Sequence, residues 1–216
     1  MNKKIVLAAL LAASAAWAGQ AQAQTIGSFR ADVHAGWDRV SIDQHTQGDA
    51  DADVVTSSEK DDGVIYGGEI GYDLGLGAFS LGAYAGIEGS SAKQCAEVYT
   101  EVETCVKAGR NITLGARAGF NVAPRVLLYA KGGYSNGQVR MEYIDHVTAA
   151  DSFTLSENMD GWHAGAGVQV NLLANSYVKL EYVHTDYSDY SLADGDATIS
   201  GGFKRDNVLL GVGMRF

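Results

Sequence analysis

The stretch that decides the fold is Val208-Leu-Leu-Gly-Val-Gly-Met-Arg-Phe216. Successive side chains of a strand point to opposite faces, so Val208, Leu210, Val212, Met214 and Phe216 share one side, while Asn207, Gly211, Gly213 and Arg215 share the other. An apolar stripe opposed by glycine and charge suits a strand that meets lipid on one face and a crowded polar interior on the other. Taken alone, the segment also fits a half-buried strand at the end of a soluble sheet. The rest of the chain has to separate the two.

The same alternation recurs upstream. Phe29, Ala31, Val33, Ala35 and Trp37 oppose Arg30, Asp32, His34, Gly36 and Asp38. Val64 to Asp73 and Phe79 to Glu88 repeat it around a tight Gly75-Leu-Gly77 turn. Ile112 to Phe120 and Val126 to Ser135 flank Asn121-Val-Ala-Pro-Arg125, and Lys131 sets the phase of the second. Trp162 to Asn171 and Val178 to about Tyr190 flank Leu173-Ala-Asn-Ser176. With the closing segment this makes eight strands. Polar stretches at Asp43 to Asp62, Gly89 to Arg110, Ile144 to Asn158 and Leu192 to Gly202 read as long loops, all at one end, with short turns at the other. A soluble sandwich has no need of that asymmetry. An even count lets the first and last strands pair and removes both sheet edges. The expected fold is therefore all-β, an eight-stranded antiparallel up-and-down transmembrane β-barrel.

The first residues agree with an exported protein. Lys3 and Lys4 precede an apolar run from Ile5 to Trp17 and then Ala21-Gln-Ala23, the pattern of a signal peptide cleaved after Ala23. Residues 24–216 are then the barrel. No later window approaches 18 consecutive apolar residues, which excludes a bundle of spanning helices and leaves a closed barrel as the only way across a membrane. Without Lys3 and Lys4, 14 basic residues face 26 acidic ones, a net charge of −12 that argues against nucleic acid as a partner.

On this phasing Arg30, Asp32, Glu69, Arg117, Lys131, Lys179, Glu181 and Arg215 turn inward with His34 and His163, beside many glycines. Eight strands enclose a space that side chains fill, whereas aqueous channels need roughly 16. The inward charges therefore read as an ion-pair network, since buried charges must be paired. A narrow conductance or proton path is the competing reading.

Signal peptide, eight alternating strands, one-sided long loops and a terminal aromatic together resemble the small outer-membrane β-barrel family, which includes the barrel of outer-membrane protein A and the opacity-type porin family. The resemblance covers the mature chain. It implies an outer-membrane location, lipid and lipopolysaccharide as surroundings, and a monomer. It also implies that Phe216, with Met214 and Val212 before it, is the signal read by the barrel-insertion machinery. The chain is expected to stop at the barrel, without a peptidoglycan-binding domain.

Three other groups of residues carry chemistry. Cys95 and Cys105 suit a disulfide stapling one loop, a reading favoured over metal binding, which needs further ligands. Asp49, Asp51 and Asp53 alternate as oxygen ligands do, but the glycine and glutamate of a calcium loop are missing, so a solvated acidic run is expected. His184, Asp186 and Ser188 invite comparison with lipid A-modifying barrels; their place among Tyr182, Tyr187 and Tyr190 reads instead as an interfacial girdle. No cofactor is implied. The expected role is structural and surface-interacting, through four loops that meet a host, another cell or lipopolysaccharide.

Overall fold

The computed structural model describes residues 27–47, 55–99, 102–145, 153–172, 175–194 and 197–216. Nine strand segments occur in it: β1 (Gly27–Gln47), β2 (Val55–Leu76), β3 (Phe79–Ser90), β4 (Lys93–Tyr99), β5 (Val102–Ala123), β6 (Val126–Asp145), β7 (Phe153–Asn171), β8 (Ser176–Asp194) and β9 (Ala197–Arg215). They build eight staves, because β3 and β4 are successive pieces of one stave that both pair with β5. All pairings are antiparallel, and the order closes on itself through β1 and β9. The closure is completed by Phe29 and Phe216, whose N–H groups each donate to the other's carbonyl, at 3.1 and 2.8 Å. The protein is an eight-stranded, closed, antiparallel barrel consistent with a transmembrane β-barrel.

The phase is the expected one. Leu114 is 61% exposed and Val212 56%, while Arg117 and Lys179 are buried. A continuous outer belt of exposed Phe, Leu, Ile and Val is far more apolar surface than a soluble monomer leaves open. Aromatic rings flank it at both levels, Phe29, Tyr72, Phe79, Phe120 and Phe216 at one and Trp37, Tyr66, Tyr134, Trp162 and Tyr182 at the other.

One end has tight turns. Gly77, at φ 70°, turns β2 into β3 where a side chain would be strained. Ala123–Val126 joins β5 to β6 across Pro124 and Arg125. At the other end the sequence reading needs correction. Most of the four stretches read as loops are strand: β1 runs to Gln47 and β2 starts at Val55, β4 and β5 occupy most of 93–110, β6 reaches Asp145 with β7 from Phe153, and β8 and β9 meet near residue 195. The physical reason is that ladder hydrogen bonds need only backbone. Once the membrane part fixes the register, polar side chains do not stop it from propagating. Strands of 19 to 22 residues greatly exceed the roughly 9 to 11 needed to cross a bilayer, so long β-hairpins project from this end.

Above the belt the barrel is no longer closed. β2 pairs with β3 as far as Ile65↔Ser90, with one further bond from the Ser91 N–H to the Val64 carbonyl at 2.9 Å, and β7 pairs with β8 as far as Gly161↔Tyr187. Beyond those points the described strands form two separate four-stranded sheets, β2–β1–β9–β8 and β4–β5–β6–β7. Two seams lie between them.

Residues 1–23, Asp49, Asp51 and Asp53 lie outside the described residues. Cys95 and Cys105 are direct cross-strand partners in the β4–β5 hairpin.

Candidate functional site

The strands turn polar side chains inward at every second position, and the closed wall forces them together. Glu69, from β2, meets two cations: Lys131 Nζ on β6 donates to it at 2.5 Å, and the Arg30 guanidinium donates to its other oxygen. Lys131 also reaches Glu181 on β8 at 3.0 Å. Glu181 accepts from the Tyr129 hydroxyl at 2.7 Å. Lys179 lies 2.8 Å from Asp32, which also accepts from Tyr177 at 2.8 Å and contacts His34 at 3.2 Å. Arg30 reaches Asp73 at 3.3 Å, and Arg215 shares that carboxylate at 3.4 Å. Arg117 donates to Gln169 at 2.7 Å and stacks its guanidinium 3.9 Å from the Tyr129 ring centre.

All eight inward charges named from sequence thus face the interior, seven of them buried and Arg215 half-buried at the turn end. They are linked across the lumen as well as along it. Each acid is held by a cation or hydroxyl donor, the condition under which buried charge is tolerated.

Several partners escaped the sequence reading. Asp38 takes a two-point contact from Arg205, at 2.6 and 3.2 Å, with further donors Asn207 at 2.8 Å and Ser90 at 2.5 Å. Glu88 accepts from Asn111 at 3.0 Å. Tyr84 is hydrogen-bonded to His163, whose other ring nitrogen is 2.8 Å from Ser135. Their inward parity was available in sequence, but partners on distant strands depend on register. Between the two ionic clusters Ile65, Val183 and Leu209 form a buried apolar group inside the lumen. Their parity turns them inward with the charges; that they cluster together depends on register.

The outward rim above the belt is also ionic. Arg39 contacts Asp62 at 2.9 Å and lies 4.5 Å from the Trp37 ring centre. That hydrogen bond holds the Asp62 carboxyl below its ordinary range. His184 is committed to Asp206 at 2.8 Å, and Tyr182 donates to the same carboxylate at 2.5 Å. The outward His184 therefore faces a girdle carboxylate and the Trp162 ring at 6.0 Å.

Val212, Met214 and Phe216 are exposed on the lipid face of β9, the last 50% accessible. Cys105 is buried.

Comparison with known proteins places this geometry. A 22 kDa outer membrane protein of Rhizobium leguminosarum bv. viciae is 33% identical over 112 residues, covering 51% of this chain and 48% of the relative. A 31 kDa outer-membrane immunogenic protein of Brucella melitensis is 30% identical over 139 residues, covering 63% and 52%. The chain thus spans about half the length of the curated relatives it matches. Among solved structures, Neisserial surface protein A matches at a TM-score of 0.46 and 11% identity, covering 88% of this chain and 99% of that one. The attachment invasion locus protein Ail of Yersinia pestis matches at 0.41 and 14%, covering 85% and 98%. The model of the outer membrane protein beta-barrel domain family matches residues 5–216, so the chain belongs to that family and its place is the outer membrane.

Proposed function

We propose that this is a non-conducting outer-membrane barrel that works as a surface-interaction protein, presenting its projecting hairpins outside the cell. The observation that carries the reading is the division of charge between the two parts of the molecule. Among the described residues six acids, Asp32, Asp38, Glu69, Asp73, Glu88 and Glu181, turn inward and are consumed by internal partners; the other 14 fall on strand segments within 43–62, 97–103, 142–160 and 186–206, beyond the belt. A lumen bridged by Lys131, Glu69 and Glu181 and capped by Ile65, Val183 and Leu209 has little room for a solute path.

In this reading residues 1–23 are removed on export, the hairpins face outward among lipopolysaccharide, and a disulfide between Cys95 and Cys105 staples the β4–β5 hairpin. Phe216 with Met214 and Val212 is the element handed to the insertion machinery. The hairpins meet a ligand on a host or neighbouring cell.

Single-channel recording of the folded protein in planar bilayers tests the closed lumen. The expected trace is flat. A reproducible conductance that changes when Lys131 or Glu69 is neutralised would establish the narrow-channel reading instead.

A further inference from the structure

The seam between β7 and β8 is a place where the fold leaves backbone unpaired. Below it, Gly161↔Tyr187 is the last rung. Above it, residues 153–160 of β7 pair only with β6, and residues 188–194 of β8 pair, where paired, only with β9. Each strand therefore presents one edge that no neighbouring strand pairs with among the described residues, and edges of this kind accept an additional strand.

The chemistry along these edges has a single sign. Residues 153–160 and 186–194 carry Glu157, Asp160, Asp186, Asp189 and Asp194, with no Lys or Arg. Lys204 lies one strand further in, opposite Asp186. At the fork itself is a recess lined by Tyr134, Asp160, Gly161, Trp162, Asp186, Tyr187 and Ser188. Its walls are two exposed rings, Tyr134 and Trp162, and two carboxylates. Asp160 is oriented by the Tyr134 hydroxyl and by Asn136 at 2.7 Å. Asp186 has no hydrogen bond or ion pair among the described residues. Aromatic faces beside carboxylates form a receptacle for an ammonium or guanidinium group.

We propose that this seam binds an extended, Lys- or Arg-rich polypeptide segment, added as a strand to the open edge of β7 or β8 with one basic side chain seated in the recess. The inference rests on the surface-interaction reading and specifies its partner. Backbone pairing supplies the register and the carboxylates select charge. Neutral extended segments are then poor ligands for want of the charge, and compact basic proteins for want of a free strand.

The test uses the full barrel folded in phosphatidylcholine vesicles, which carry no net charge to attract a cationic probe. Binding of a fluorescent eight-residue peptide alternating Lys and Thr is measured beside the same peptide N-methylated at alternate backbone nitrogens, and beside its Glu-for-Lys counterpart. The expected result is saturable binding of the first, at least about tenfold weaker binding of the N-methylated form as ladder hydrogen bonds are lost, and none of the acidic form. Asp160→Asn with Asp186→Asn should weaken the Lys peptide by about three- to tenfold. Equal affinity for the N-methylated peptide, or no binding of the Lys peptide, overturns the proposal. Unchanged affinity in the double variant overturns the recess as its basic subsite; should that variant fail to fold, the peptide comparison on the unaltered protein decides alone. Hairpin-dependent binding of a ligand that is neither basic nor extended would overturn this inference and leave the surface-interaction role standing.

Discussion

Lys131 and Glu69 are hydrogen-bonded at 2.5 Å although β6 and β2 stand three staves apart, so their bond crosses the lumen. Glu69 holds Arg30 as well, and Lys131 holds Glu181 at 3.0 Å. Removing Glu69 takes a carboxylate from two buried cations at once, leaving Arg30 to Asp73 and Lys131 to Glu181. Glu69→Ala should therefore cost about 3 to 5 kcal/mol. The double variant Glu69→Ala with Lys131→Met should recover part of that loss, because one under-paired buried cation goes with its partner. Urea unfolding in detergent micelles, followed by heat-modified gel mobility, reads both; strictly additive losses would show that the pair is not coupled.

The phase of this network was legible in the sequence because a membrane barrel obeys one rule at every residue. Trp37, Leu114 and Val212 fall outward and Arg117, Lys131 and Lys179 inward on alternation alone. What alternation could not supply was register. Asp38 and Arg205 are 167 positions apart, and their two-point contact follows only once β1 is aligned with β9. The hairpin extensions were hidden for a different reason. Asp43 to Asp62 is too polar to bury and carries no apolar stripe to mark a strand, yet both of its ends continue the β1–β2 ladder. Ile65, Val183 and Leu209 sit on the inward parity, and only the register of three strands brings them together as a buried apolar cluster.

Gly36 marks a place where the neighbouring strand comes too close for a side chain. A Cβ built there would overlap the carbonyl oxygen of Val208 on the neighbouring strand, and one at Gly133 would overlap that of Leu114. Backbone on the far side cannot rotate away as a side chain can. Gly36→Val is expected to abolish folding or to lower stability by more than about 3 kcal/mol, beyond the usual range for overpacking. Gly77→Ala at the β2–β3 turn meets open space and should cost only about 1 kcal/mol through its positive φ. Folding yield into vesicles ranks the two, and a reversed order would refute the close-approach argument.

Cys95 and Cys105 stand opposite each other beyond the belt, in a hairpin whose β4 strand is paired with β5. A bridge there closes a short loop and should stabilise the hairpin by about 2 to 3 kcal/mol without touching the barrel wall. Cys95→Ser with Cys105→Ser is therefore expected to leave the barrel's urea midpoint unchanged while speeding protease cleavage between residues 90 and 110. Non-reducing peptide mapping of the unaltered protein should recover the two cysteines joined. Free thiols in protein taken from the outer membrane would dismiss the staple.

Phe216 has two separable jobs. Its backbone completes the β1–β9 closure through reciprocal hydrogen bonds with Phe29, and its ring is half exposed on the lipid side. Phe216→Ala keeps the backbone bonds and removes only the ring, so refolding into vesicles should lose no more than about 2 kcal/mol. If the ring is also the feature recognised during assembly, the same variant in cells should reach the outer membrane at a much lower level and accumulate in the periplasm. Deleting Phe216 removes both contributions and should impair refolding as well. Equal outer-membrane levels of Phe216→Ala and the unaltered protein would reduce the terminal aromatic to a packing residue of the girdle.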